Sequence, residues 1–277
     1  MPVKTGPNII NFVEEEKTPT RRNLPFEEDI LIFDREVWKA VNSSMDIYGI
    51  SDLHLPGGDD KPMDVFGPEW SDHINRITRA WKSIVGPEDL VLSPGDLSWA
   101  MRLDAAGPDL SYLGTLPGNI VLVKGNHDLW WKSITQLRQR LPGNVFALQN
   151  DFYPLPKGLA ICGSRGWKCP TSREFTSEDE KIYLREMERL RLSLQSAIDS
   201  GYTPFTVMLH FPPTDENRTP SGFTEIMEDF DIKYCVYGHL HGQAQEQALT
   251  GIHRGISYHL VACDAIGFRP VHITRIP

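Results

Sequence analysis

Several short apolar runs in this chain stop abruptly at polar motifs, and this pattern restricts the fold more than any other feature. The motifs are Asp52-Leu53-His54, Gly95-Asp96, Gly125-Asn126-His127-Asp128, His210 and Gly238-His239-Leu240-His241, each following a run of strand length. Runs this short, rich in Val, Ile and Leu and bounded by Gly or Pro, suit buried strands better than helices. Strands are expected at 46–50, 89–93, 119–124, 145–148, 159–163, 205–210, 233–237, 257–262 and 271–275. Helices are expected at 69–85, where Trp70, Ile74, Ile77, Trp81 and Ile84 recur at helical spacing, at 131–140 and at 177–198. Periodicity accounts for these Trp residues as core. Early alternation of strand and helix, with strands closer together later, predicts a layered α/β sandwich.

The first 44 residues differ in kind. Glu14-Glu15-Glu16-Lys17 and Thr20-Arg21-Arg22 are polar, Pro2, Pro7, Pro19 and Pro25 interrupt them, and apolar periodicity is weak. Residues 1–44 are therefore expected to be an accessory arm, packed on the domain or partly disordered, with 45–277 as the functional domain.

Composition narrows the function classes. A net charge of −9 argues against a protein that grips nucleic acid through its phosphates. Small phosphorylated substrates stay open, because bound cations reverse the local field. No apolar run reaches transmembrane length, and the N-terminus lacks a signal-peptide layout, so a cytoplasmic location is expected. Cys235 and Cys263 are expected to be small core residues. A Cys162–Cys169 bridge is the less favoured arrangement for that pair.

Together the five motifs supply carboxylates, imidazoles and an amide, a donor set suited to two transition-metal ions. In Asp52-x-His54 the ligands lie two residues apart, so an extended backbone turns both to one side. Alone this signal is weak. Gly95 permits a sharp turn that presents Asp96 at a strand's carboxyl edge, and its two oxygens suit it to bridge two ions, although an Asp there can equally cap a helix. Asn126 offers an amide oxygen. His127 beside it can act on phosphate, with Asp128 accepting its ring N–H, provided a turn brings the two together. His210 ends a run that Pro212-Pro213 forbids to continue. His73, His253, His259 and His272 lack ligand-type surroundings and are expected to be structural or exposed.

In this order and at strand ends, the series D-x-H, G-D, G-N-H-D, H, G-H-x-H resembles the calcineurin-like metallophosphoesterases over about residues 45–277. The stretches 95–101, 126–131 and 162–167 are similar to those of a bacterial branch of predicted phosphohydrolases. The resemblance implies an α/β (or α+β) fold: a four-layer α/β/β/α sandwich of two mixed sheets flanked by helices, with the metal site at strand carboxyl ends. It implies that Asp52, His54, Asp96 and His241 hold one ion, and that Asp96 bridges to a second held by Asn126, His210 and His239. His127 would be the residue beside the scissile phosphate. The ions would be manganese, iron or zinc, about 3.5–4 Å apart, and a metal-bound hydroxide would attack the phosphorus directly. Where many relatives carry a second acid three positions after Asp96, this chain has Trp99. Asp128 stands where the protein Ser/Thr phosphatases usually carry Glu, so close likeness to those enzymes is not implied.

The implied activity is hydrolysis of a small phosphomonoester or phosphodiester. A competing reading keeps the centre but assigns a nucleotide- or lipid-linked diphosphate, and an exposed apolar patch near the site would favour the lipid version. A binding scaffold that has lost catalysis would require a damaged ligand set, and all seven ligands and His127 are present. Arg165 and Trp167, in the loop after the 159–163 run, are candidates to hold a phosphate or stack on a ring. Arg102, after Trp99-Ala-Met, is a third candidate for substrate contact. Each can also be an ordinary loop residue.

Overall fold

The computed structural model describes residues 44–57 and 63–277. The expected arm at 1–44 lies almost wholly outside the described residues. Among the described residues, eleven strands form two sheets. The first has the order β11-β1-β2-β3-β4, built from β1 (Met45–Gly49), β2 (Leu90–Ser93), β3 (Asn119–Leu122), β4 (Val145–Ala147) and β11 (Val271–Ile276). β1 to β4 run parallel and β11 closes the edge antiparallel to β1. The second has the order β5-β6-β7-β8-β10-β9, from β5 (Tyr153–Leu155), β6 (Leu159–Ser164), β7 (Thr203–Leu209), β8 (Tyr234–Tyr237), β9 (Gly251–His253) and β10 (Ile256–Leu260). Its central strands are parallel, and β5 and β9 are antiparallel edges. Both sheets are mixed.

Side chains alternate across each strand, and the alternation sorts them into layers. Val91, Ile120 and Leu122 turn outward and pack with Ile77 and Trp81 of α1 (His73–Ile84), Leu110 and Leu113 of α2 (Gly107–Leu113) and Leu137 of α3 (Ile134–Arg138). On the other sheet Cys162, Val207, Leu209 and Cys235 pack with Tyr183, Leu190 and Leu194 of α4 (Ser177–Asp199) and Phe223, Ile226 and Met227 of α5 (Gly222–Asp229). The intervening positions, among them Leu92, Val121, Ile161 and Met208, are fully buried between the sheets, where Gly49 faces Val236 and Val261. The result is the expected α/β/β/α sandwich. All four cysteines are buried free thiols, so no Cys162–Cys169 bridge forms. No helix among the described residues is long and apolar enough to cross a membrane.

The nine expected strands all form. β5 and β9, three residues each, were not expected, because edge strands this short carry no readable period. The expected helix at 69–85 divides into a 3-10 turn (Pro68–Trp70) and α1, with Asp72 left-handed between them. α2 and α5 were also unexpected. They are seven and eight residues long, too short for apolar spacing to register, and Pro108 at the start of α2 reads as a turn signal.

The sheets are joined where the site lies. Beyond the end of β1, Ser51 pairs with Ala262 beyond β10, through Ser51 N–H to the Val261 carbonyl (2.8 Å) and Cys263 N–H to the Ser51 carbonyl (3.0 Å). The carboxyl ends of the parallel strands of both sheets thus converge on one edge.

Candidate metal centre

At that edge the loops after β1 and β2 lock together. Asp52 N–H donates to Gly95 O (3.0 Å), His54 N–H to Asp96 O (3.1 Å) and Leu55 N–H to Leu97 O (2.8 Å). Asp52 (φ +57°), His54 (+46°), Asp96 (+51°) and His239 (+74°) all take left-handed backbone conformations. Non-glycine residues there are strained by about 1–3 kcal/mol each, and they persist only where surrounding bonds hold them. An extended Asp52–His54 segment is therefore not what aligns these two side chains. A tight turn pinned by the β2 loop does it. Gly95 (φ +93°) makes the turn expected of it, and a side chain at Gly238 would overlap the Asp52 carboxylate.

Donor atoms of Asp52, His54 and His241 lie within 4.8 Å of one another, and so do those of Asp52, Asp96 and His210. The Asp96 Oδ2 is 4.0 Å from His54 Nε2 and 3.5 Å from His210 Nε2, between the two sets. On the second side His210 Nε2 is 2.6 Å from Asn126 Oδ1, and His239 Nδ1 is 3.0 Å from that oxygen and 3.2 Å from His210 Nε2. All seven expected ligands are gathered here.

The electronic character of these atoms fits a cation. His210 Nδ1 faces the Pro94 carbonyl at 3.0 Å, and a carbonyl only accepts, so the ring proton sits on Nδ1 and Nε2 is a lone pair. Burial pushes His210 and His54 down to about 3 and His239 down to about 4, so these rings are neutral. His210 Nε2 and Asn126 Oδ1 therefore face each other as two acceptors, a repulsive contact that a metal ion relieves.

Carboxylates crowd the same volume. Burial and the neighbouring Asp52 and Asp128 push Asp96 up to about 9. Burial pushes Asp52 up as well, but its hydrogen bond to His241 and the imidazoles of His210 and His54 hold it below the usual carboxylate range. Burial pulls His241 down, yet Asp264 and Asp52 on its two nitrogens outweigh this and raise it to about 10.

His127 stands at the mouth, with 44% of its side chain exposed and Nε2 3.9 Å from Asp96 Oδ2. Its ring lies 4.5 Å from the Trp99 ring, and burial lowers its pKa, leaving a neutral imidazole at pH 7. The expected support from Asp128 is replaced by something else. Asp128 is 1% exposed, and its carboxylate accepts from the backbone N–H groups of Asp96, Leu97, Ser98 and Gly125 and from the Trp130 indole. With these donors around it, Asp128 clamps the loop after β2 to the loop after β3. His127 is the neighbour that points away.

Arg165 is committed to the buried Glu186 (3.3 Å) and lies 4.3 Å over the Trp167 ring. Trp167 donates to Asp179 (2.9 Å) and rests on Phe211, which rests in turn on His239. Both residues thus brace the loop behind the second ligand set. Arg102 is exposed beside Met101. His73, as expected, is structural, bound to the Leu53 carbonyl at 3.1 Å.

Three contributors went unread in the sequence. Asp264, just beyond β10, accepts from His241 Nδ1 (2.8 Å), Gly242 N–H (3.2 Å) and Gln245 Nε2 (2.7 Å). It follows the apolar 257–263 run just as the recognised ligands follow theirs, so the signal was present. Trp99 stacks on His54 at 4.7 Å, and Trp70 meets that ring edge-on at 6.0 Å, so two indoles fix one ligand.

Comparison with known proteins agrees with this geometry. No curated protein sequence matches the chain. Among solved structures, a phosphopantetheinyl hydrolase from Mycobacterium tuberculosis superposes with a TM-score of 0.51 at 14% identity, covering 82% of this chain and 96% of that one. A protein of unknown function from Aquifex aeolicus gives a TM-score of 0.45 at 17% identity, covering 82% of this chain and 95% of its own. At such identities the first shows a shared fold. The sequence model for the calcineurin-like phosphoesterases matches residues 45–243, which include all seven expected ligands and His127, and the chain belongs to that family.

Proposed function

We propose that this metal-dependent phosphohydrolase acts with two ions on a small phosphomonoester or phosphodiester. Asp52, His54, Asp96 and His241 would hold one ion, and Asp96, Asn126, His210 and His239 the other. The observation that carries this reading is the 2.6 Å approach of two acceptors, His210 Nε2 and Asn126 Oδ1, with Asp96 between that pair and His54. When bound, such ions activate water and neutralise charge on the phosphoryl oxygens.

The chain's own residues do the rest. The Pro94 carbonyl and Asp264 accept from His210 Nδ1 and His241 Nδ1, which turns both Nε2 atoms inward, His210 Nε2 as a lone pair and His241 Nε2 as one once its proton is shed. Asp128 holds the two ligand loops at a fixed separation. The neutral His127 at the mouth is placed to donate a ring N–H hydrogen bond to a phosphoryl oxygen or to the leaving oxygen. The purified manganese-loaded protein should hydrolyse p-nitrophenyl phosphate or bis-p-nitrophenyl phosphate. Asp96→Asn, which alters the ligand shared by both ions, and His210→Ala, which removes a ligand of the second, should each reduce that rate by at least about a thousandfold. A protein carrying two ions per chain yet inert toward every phosphoester would refute the reading.

A further inference from the structure

Most large apolar side chains of the described residues are buried, but four exposed ones gather on the loops that carry His54, Asp96 and His127. Val65 is 73% exposed, Phe66 63%, Met101 60% and Leu129 46%. The remaining exposed ones lie on α4 and the edge strand β9, away from these loops. A single exposed apolar residue is ordinary, whereas a group ringing a polar centre marks a binding surface.

The three loops form one rim. Leu55 and Ser98 pair across the first two, and Trp99 N–H donates to the Leu55 carbonyl at 3.0 Å. The Trp99 indole N–H reaches Met63 Sδ at 3.1 Å, which places the 63–66 turn against Trp99. Trp99 in turn packs on both His54 and His127, and Asp128 ties the Leu129 loop to the Trp99 loop. The apolar rim is thus continuous with the metal centre through one indole. Whatever covers it has to extend from a phosphate seated at the metals. The chain's charge of −9, with Asp64 exposed beside Val65, opposes docking on an anionic bilayer.

We propose that the substrate is a phosphoester bearing a large hydrocarbon substituent, which lies across Phe66, Met101 and Leu129 while its phosphate occupies the metal centre. This rests on the phosphoesterase reading and narrows its substrate class.

Non-hydrolysable alkylphosphonates with chains of one, four and eight carbons, kept below micelle-forming concentration, provide the probe. Calorimetric titration of the manganese-loaded protein should show binding tightening about twofold per methylene, the value for a methylene covered on one side only. Combining Phe66→Ser with Met101→Ser should flatten that slope, and because the slope is a ratio within one protein it is insensitive to partial loss of fold. Equal binding of all three phosphonates would overturn the proposal. A chain-length effect seen only with phospholipid vesicles would also overturn it, assigning the rim to a membrane surface. Turnover of methyl p-nitrophenyl phosphate is measured in parallel. Its presence alongside a flat phosphonate series removes the hydrocarbon inference alone, and its absence alongside a steep series strikes the phosphoesterase reading instead.

Discussion

Asp264 orients His241, a proposed ligand, from outside the proposed donor set. Its carboxylate fixes His241 Nδ1 as the donor at 2.8 Å, which leaves Nε2 directed at Asp52 Oδ1, 3.4 Å away. Loss of such a partner typically lowers metal affinity or activity 10–100-fold. Asp264→Asn should therefore stay folded by circular dichroism yet lose metal on gel filtration and show a rate reduced by about that factor. The same pairing sets a pH dependence. His241, raised to about 10, and Asp96, raised to about 9, both carry a proton at pH 7, and each must shed it to become a ligand. Protons thus compete with metal below those values, so manganese should bind chelator-stripped protein more tightly as pH rises from 6 to 9. Calorimetry in buffers of different ionisation heat should register the released protons, and metal binding that released none would contradict this charge assignment. The ligands themselves were legible in the sequence because each is a donor-type side chain following an apolar run. Asp264 carried the same mark but had no neighbouring motif to draw attention to it.

Between residue and fold, the loops are the working elements, and their geometry was not legible. The nine strands could be read because each is a short buried apolar run, whereas the left-handed turns at Asp52, His54 and Asp96 depend on hydrogen bonds between loops distant in sequence. That is why Asp128 was misread. Its neighbour in sequence is His127, but its carboxylate serves N–H groups about thirty positions away. Burial pushes Asp128 up to about 6 against those donors, so at pH 7 it is an ionised acceptor. Asp128→Ala would strand several buried N–H groups at once, and each hydrogen bond to a charged acceptor is worth about 1.5–3 kcal/mol. Water entering the space would recover part of this, so a destabilisation of about 3 kcal/mol is expected, seen as a fall of roughly 6–12 °C in Tm. A change under about 2 °C would mean that the clamp is dispensable.

For the whole molecule, the placement of the two sheets decides what the chain can do. Each brings a partial donor set to its carboxyl edge: Asp52, His54, Asp96 and Asn126 come from the loops of the first sheet, and His210, His239 and His241 from those of the second, with Asp264 behind His241. Neither sheet alone holds a complete site, so the centre depends on the Ser51–Ala262 junction that brings the two edges together. The sandwich itself was legible from alternating strands and helices. Which strands would be edges was not, because β11 follows β10 in sequence yet crosses to the other sheet and pairs with β1. This connection makes the two chain ends unequal. Every ligand and both sheets lie from Met45 onward, so a chain beginning at Met45 should keep its phosphoesterase rate within about twofold, since no donor is removed. A chain ending at Pro270 would strip the backbone partners of Met45 to Gly49 and the Arg275 and His272 contacts to Asp46, although the family match ends well before β11. Because β1 delivers Asp52 and His54, unpairing it should loosen the first ligand set, and that protein should bind less than one equivalent of manganese and melt well below the full chain. Equal metal content in the two truncated proteins would show that β1 is held by β2 and the Ser51 junction alone. In that case β11 would be an ornament of the edge, and the centre would be anchored entirely from the interior of the sandwich.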